Sequence, residues 1–328
     1  MDRPLVSVVM PSYNHAEFIA EAIESVLRQT YDNFEFIIAD DGSKDGTVEI
    51  IQQYQDPRIR FTAFSENTCF GTCEYIYTCV RGKYIASICS DDVWEETLLE
   101  KYVAFLEEHQ EFGCCFSKPA VINERGEIIE GSFPFILDNG SRAMWFRKLY
   151  MKGNCICGST MCIRQSVFAK VAPFRMQYRQ LQDYELYLRL LQIDNIYIYP
   201  ETLAKYRIHV SGENFNISAP TLEVRTRDFM ERKYIMLDIM ERIEDSFFIE
   251  AFAEDLVLKP GMKGFCTECE KFGVMLKAVP VVPIEAAVFY YYRHYNDKAF
   301  RESLESVYGI SRKDFWNLVG KIQITISD

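Results

Sequence analysis

The sequence predicts an α/β fold, a mostly parallel sheet flanked by helices, with a helical C-terminal region from about residue 220. Three observations carry this. Over the first 110 residues, short β-branched runs alternate with stretches whose apolar residues repeat at helical spacing, the pattern of parallel strands joined by right-handed crossovers. Those runs end in the polar or acidic segments PSYN, DDGS and SDD, and ligands of open parallel sheets collect at the carboxyl ends of the strands. Beyond residue 220 the strand pattern gives way to long amphipathic stretches.

Each element follows in order. Residues 5–10 form a β-branched strand that stops at Pro11-Ser12. Residues 16–28 set Phe18, Ile19, Ala22, Ile23, Val26 and Leu27 on one helical face. Residues 34–39 are a second strand ending at Asp40-Asp41-Gly42-Ser43, after which Asp45 or Thr47 can cap a helix over 48–54. A strand over 59–64, a helix over 72–80 and a strand over 84–89 follow, the last running into Asp91 and Asp92. Downstream, 112–116 and 121–123 read as short strands, 141–151 as a helix, and GSTMCIRQSVF as a strand entering a helix. Residues 182–191 read as a helix, 196–199 and 203–208 as strands, and 222–244 as one long amphipathic helix. A boundary is expected at Ser218-Ala219-Pro220.

Composition narrows the function. With 36 basic against 48 acidic side chains, the 328-residue chain carries a net charge of -12, so it lacks the cationic excess of a nucleic-acid binder. Such a chain can still bind a nucleotide if a metal ion bridges the anions. The apolar run at the N-terminus is short and broken by Pro11, a poor signal peptide. Residues 274–292 carry Lys277, Pro280, Pro283 and Glu285, against a spanning helix. A cytoplasmic protein is expected. The 11 cysteines are scattered and odd in number, which favours reduced thiols over disulfides. Cys266 and Cys269 form a CxxC and Cys155 and Cys157 a CxC, without the second pair a zinc site needs.

The acid pair raises the sharpest chemical question. Adjacent carboxylates at the end of a buried strand repel each other and are costly to bury unpaired. Asp92 as an N-cap would account for one of them. A divalent cation would account for both, and would neutralise a bound diphosphate. Asp41, behind the apolar run FEFIIA, fits either a turn or an acceptor for the imide N–H of a pyrimidine. Asp183, in QDYEL, fits a helix cap or a carboxylate held towards a cleft. His209 fits a packed side chain or a ligand.

The long segment VSVVMPSYNHAEFIAEAIESVLRQTYDNFEFIIADDGSKDGT resembles the opening of family 2 glycosyltransferases, with their GT-A, Rossmann-like nucleotide-sugar fold. SDDVW resembles the family's metal-binding acidic motif, LQDYELYLRL its catalytic motif, and YRIH its closing strand. The resemblance covers roughly residues 4–215 in the expected order. It implies a GT-A domain over 1–219, with nucleotide-sugar binding in 1–110 and the acceptor side in 111–219, then a helical region over 220–328. It places Pro11, Ser12 and Tyr13 at the base and ribose, Asp41 at uracil, Asp91 near the ribose or metal, and Asp92 as direct metal ligand. Asp183 matches the catalytic base and His209 a further metal or diphosphate contact. The implied reaction is metal-dependent, inverting transfer from a nucleotide-diphospho-sugar to a hydroxyl of a cell-surface glycan or lipid-linked glycan. Mn²⁺ or Mg²⁺ is the implied cofactor, a UDP-sugar the first expected donor and a dTDP-sugar the next. A location at the inner face of the membrane follows.

There are departures. Cys89 stands where many relatives carry an acid, and residues 72–80 lack the usual Arg-Asn. The cationic contact to the nucleotide is therefore unassigned, with Arg207 and Arg164 as candidates. These departures leave a rival reading, a sugar-nucleotide-binding or scaffolding protein without turnover. The run Phe289–Tyr292 with Arg293 fits a membrane surface or a second protomer as partner of the helical region, and equally packing back on the catalytic domain.

Overall fold

In the computed structural model, which describes residues 3–69, 71–130, 139–171, 175, 177–209 and 221–320, strands form where β-branched and aromatic residues are contiguous. The first half alternates as the sequence predicts: β1 (Val6–Ser12), α1 (Ile19–Leu27), β2 (Phe34–Asp40), α2 (Thr47–Ile51), β3 (Ile59–Ala63), α3 (Gly71–Thr78) and β4 (Tyr84–Ser87). Then come β5 (Val93–Trp94), α4 (Leu98–Glu108), β6 (Phe112–Ile122), α5 (Arg142–Lys152) and a 3₁₀ turn, Gly158–Thr160. That turn leads to β7 (Cys162–Arg164), α6 (Gln165–Val171), α7 (Gln182–Leu190) and β8 (Asn195–Arg207).

The strands make one sheet in the order β3-β2-β1-β4-β7-β6-β8-β5. β3, β2, β1 and β4 run parallel, and β7 is antiparallel to both β4 and β6. Val6, Val8, Val9 and Met10 of β1 are fully buried, as a central strand covered on both faces requires. Apolar side chains of α1 and α4 close one face of this core, with Ile19, Ile23, Leu99 and Tyr102 among them.

The structure differs from the sequence reading in two places. The two expected pairs of short strands are single long strands, β6 and β8, lying parallel. Pro200 cannot donate to a ladder; Ser117 pairs with Tyr199 and Lys118 with Thr202, so the register shift carries Pro200 and Glu201 past the pairing. Asp92 does not cap α4: β5 intervenes, pairing with β8, and Thr97 stands at the helix N-cap.

The chain divides into two compact units, Met1–Arg142 with Cys155–Val224, and Ala143–Asn154 with Arg225–Asp328. The second unit joins α5 to α8 (Leu222–Arg242), α9 (Asp245–Ala251), α10 (Thr267–Lys277), α11 (Ile284–His294), α12 (Lys298–Tyr308) and α13 (Arg312–Val319). Trp145, Phe146, Leu149 and Tyr150 of α5 are fully buried. The Phe146 ring meets Phe247 edge-on, and Arg147 clasps Asp255 with two bonds of 2.6 and 3.1 Å. In the run Phe289–Tyr292, Phe289 and Tyr292 are exposed while Tyr290 and Tyr291 are buried. The boundary expected at 218–220 lies outside the described residues. Among the described residues, no helix is long and apolar enough to cross a membrane.

Candidate active site

The loops that follow β1 and β2 are bound to each other. Asp41 N–H donates to Ser12 O at 2.8 Å, and Asn14, in the left-handed region at φ 51, donates its N–H to Ser43 Oγ at 2.7 Å. Asp40 accepts from Ser43 N–H and Oγ–H at 2.8 and 2.6 Å, a side-chain-closed turn. Gly42 has φ +77, and a Cβ there would lie 2.5 Å from the Glu66 carbonyl carbon, so glycine is required. Asp41 is buried, with Oδ1 accepting from Thr68 N–H at 3.0 Å and Thr68 Oγ1–H at 2.5 Å. Pro11 and Ser12 end β1; Ser12 Oγ is buried without a hydrogen-bond partner among the described residues. Tyr13 beside it is 42% exposed.

Asp91 and Asp92 are both buried, and hydrogen-bond partners for both come from the end of β8 and just beyond it. Arg207 N–H donates to Asp92 Oδ1 at 2.7 Å and its Nε–H to Asp91 O at 2.8 Å. The rest of the guanidinium reaches Asn123 O, Glu124 O and Glu21 Oε2, and packs 4.8 Å from the Phe18 ring centre. The Arg207 guanidinium is thus engaged in holding the acid loop. Arg164 is committed as well, donating to Phe112 O, Tyr84 Oη, His109 O and Leu106 O.

His209 Nε2 lies 2.8 Å from Asp91 Oδ2. The two acids diverge electrostatically. Burial acts to raise Asp91, yet the His209 hydrogen bond and the nearby His15 outweigh it and hold the carboxyl below the usual range. Burial and the charge of Asp91 push Asp92 well above that range, and the nearby Ser159 side chain and Arg207 offset only part of this. Asp92 Oδ2 is buried with no hydrogen-bond partner among the described residues. A carboxylate oxygen in that position calls for a proton or a cation.

Ligand-type atoms form two groups here that share Asp91. Those of His15, Asp91 and His209 lie within 4.8 Å of one another, as do those of Cys89, Asp91 and Asp92. Burial is the first cause that lowers His15, which favours the neutral imidazole that ligates metals. His15 Nδ1 is 2.7 Å from Ser90 Oγ, and its ring stacks on His209 at 5.8 Å between centres. These residues fit a divalent cation. His15 and Cys89 are the members that sequence reasoning missed: one histidine after PSYN carries no pattern, and Cys89 registered only as a missing acid.

Asp183 is the second residue of α7, after an N-cap at Leu181, and its Oδ1 accepts from the N–H of its neighbour Tyr184 at 2.7 Å. It is not the helix cap. α7 is fixed by buried Glu185, which Arg189 grips with bonds of 2.7 and 2.8 Å and Arg175 approaches to 3.3 Å. The turn Gly158–Thr160 ties Asp183 to the acid loop. A Cβ on Gly158 would lie 3.7 Å from Asp183 Oδ2 and 3.1 Å from Tyr187 Oη. The next residue, Ser159, accepts from Cys89 N–H at 2.7 Å and from Trp94 Nε1–H at 2.8 Å. Burial, then the charge of Asp92, with further contributions from Asp183 and Asp91, push the Cys157 thiol up.

A solved structure of similar fold is that of Staphylococcus aureus TarS residues 1–349 in complex with UDP-GlcNAc, at TM-score 0.59 and 16% identity over 93% of this chain and 91% of that one. A second is the mannosyltransferase PcManGT from Pyrobaculum calidifontis in complex with GDP-Man and Mn2+, at TM-score 0.52 and 12% identity over 96% and 88%. In sequence, an uncharacterized glycosyltransferase of Haemophilus influenzae is 31% identical over 219 residues, 63% of this chain. The match spans 66% of that protein's length, and 64% and 31% of two Rickettsia relatives. The sequence model of Glycosyl transferase family 2 matches residues 7–172, which include β1 to β4, the acid pair and the turn beside Asp183. With its sheet order, its strand-end acids and just over half its length matched, the chain belongs to glycosyl transferase family 2.

Proposed function

We propose that this chain transfers a sugar, with inversion, from a nucleoside-diphosphate sugar to a hydroxyl of a glycan or lipid-linked glycan. The observation that carries the reading is the buried Asp92 Oδ2 without a partner among the described residues, grouped with Asp91 and Cys89, where Asp91 is shared with a second group that holds His15 and His209. Asp92, Asp91, His209 and His15 would hold a divalent cation, Mn²⁺ or Mg²⁺. When bound, such an ion supplies the positive charge that offsets the charge growing on a departing diphosphate.

The chain's own residues divide the remaining work. Pro11, Ser12 and Tyr13 receive the base and ribose, with the buried Ser12 Oγ offering an unused hydroxyl. Asp41 meets the imide N–H of uracil, which makes a UDP-sugar the first donor to test and a dTDP-sugar the next. Asp183 takes the acceptor's proton at Oδ2, the oxygen beside Gly158, while Oδ1 stays bonded to Tyr184 N–H. Nucleotide sugars in the TarS and PcManGT structures support the donor class. The acceptor side lies in the first unit beyond residue 110, and the site of action is the cytoplasmic face of the membrane.

Calorimetric titration of UDP, TDP and GDP, with Mn²⁺ and again with EDTA, tests this. Metal-dependent binding that prefers UDP is expected. Absence of nucleotide binding under every condition would overturn it in favour of a scaffold.

A further inference from the structure

The second unit contains a chemical group that sugar transfer does not use. Cys266 occupies the N-cap of α10, and Cys269 lies three residues on, in its first turn. The two side chains differ in what surrounds them. Cys266 is half-buried, its thiol 3.6 Å from Glu268 Oε2. Cys269 is fully buried and donates to Phe300 O at 3.2 Å. Among the described residues, neither side-chain group spaced for a metal includes either cysteine. A CxxC at the start of an 11-residue helix, with an accessible first sulfur and a sheltered second one, is the arrangement that supports dithiol chemistry.

We propose that Cys266 and Cys269 form a thiol–disulfide exchange site whose substrate is a low-molecular-weight disulfide. The Cys266 thiolate attacks one sulfur of the substrate, RSSR. The S–S bond of the substrate breaks, RS⁻ leaves and takes up the proton that Cys266 lost, and a Cys266–S–S–R mixed disulfide remains. Cys269 then attacks Cys266 Sγ, its proton goes to the second RS⁻, and a Cys266–Cys269 disulfide forms. The dithiol is oxidised by two electrons and the substrate is reduced to two RSH. In the disulfide, Cys269 no longer donates to Phe300 O, so the link between α10 and α12 changes with redox state.

The environment of the sulfurs supports this order of attack. The neighbouring Cys269 side chain, helped by the Cys269 amide, holds Cys266 below the usual thiol range, although burial and Glu268 act the other way. The Cys266 side chain, then burial, push Cys269 up. Cys266 is thus the attacking sulfur and Cys269 the resolving one.

The test uses the full chain, reduced and then exposed to oxidised glutathione, with acid quench, alkylation and peptide mapping. A Cys266–Cys269 disulfide is expected to accumulate, with iodoacetamide at pH 7 modifying Cys266 about ten-fold faster than Cys269 before oxidation. Cys269→Ser, which retains a donor for Phe300 O, should stop with one glutathionyl group on Cys266. Cys266→Ser should carry about ten-fold less adduct on Cys269. The proposal is overturned if the wild-type pair stays reduced in excess oxidised glutathione. It is equally overturned if Cys269→Ser, with native circular dichroism, carries no adduct on Cys266. Neither result depends on nucleotide binding, so the glycosyltransferase reading is tested separately.

Discussion

The His209 imidazole and the Asp91 carboxylate are hydrogen-bonded at 2.8 Å, both buried. This contact lets one acid of the pair remain ionised while the other is pushed towards its protonated form. Replacing His209 by Ala should lower Mn²⁺ affinity by about 10–100-fold, the usual cost of losing a ligand or its orienting partner. Titration of the protein with Mn²⁺ by electron paramagnetic resonance measures it. An unchanged affinity would return His209 to a packing role.

Asp92 should link stability to the cation. In wild type, an ion at one hundred times its Kd should stabilise the fold by about 2.7 kcal/mol. Asp92→Asn should abolish that gain, and in EDTA it should be no less stable than wild type, because the replacement no longer buries a second acid beside Asp91. Thermal melts with and without Mn²⁺ decide this. A metal-dependent gain in Asp92→Asn equal to wild type would exclude Asp92 as a ligand.

Asp183→Asn should lower kcat by roughly 10²–10⁴-fold and leave donor affinity near wild type, since a base acts in the chemical step alone. Sugar transfer from a labelled UDP-sugar, paired with donor calorimetry, separates the two effects. Retained turnover would move the base elsewhere.

Arg207→Met should destabilise the first unit by roughly 1–3 kcal/mol, because the carbonyls of Asp91, Asn123 and Glu124 would lose their donor, while the backbone N–H that bonds Asp92 remains. Urea unfolding measures the loss. A stable variant with weakened nucleotide binding would instead restore Arg207 as the donor's cationic contact.

Acid should weaken the sheet through Glu35 of β2. Its carboxylate is buried and accepts from Ser7 Oγ–H at 2.6 Å, Arg81 N–H at 2.8 Å and Arg60 Nη1–H at 2.7 Å. Burial acts to raise it, but these bonds prevail and its pKa lies below the ordinary 4.5. A folded-state pKa below the unfolded one stabilises fully above pH 4.5, and the contribution fades as pH falls through the folded value. Glu35→Gln should cost about 1–3 kcal/mol at pH 7 and much less in that acidic window. A cost independent of pH would show that shape, and not charge, sets the contribution.

Much of this was legible in the chain. Alternating strand and helix signals located β1 to β4, and the strand-end acids pointed to the candidate site, because a parallel sheet delivers those ends to one edge. β6 and β8 were not legible as continuous strands, since Pro119, Pro200 and Glu201 interrupt their apolar runs and only the paired register shows how the ladder passes them. The role of Arg207 was also hidden. Sequence shows a charge near the acids, whereas the donors' directions show it fastened to backbone carbonyls behind them. The membership of α5 in the second unit was hidden as well, since its contacts there join distant parts of the chain, Arg147 and Asp255 being 108 residues apart.

The acid pair and its partners are separated by 115 to 118 residues of chain. During synthesis, at roughly 5–20 residues per second, Asp91 and Asp92 would emerge on the order of ten seconds before Arg207 and His209. Closing so long a loop costs entropy before any contact returns it. The cation site is therefore among the last features to be assembled, and a nascent chain ending before residue 207 would hold no ion there. Cation uptake would then report the completion of folding, and an ion binding at that moment would act as a latch on the finished unit.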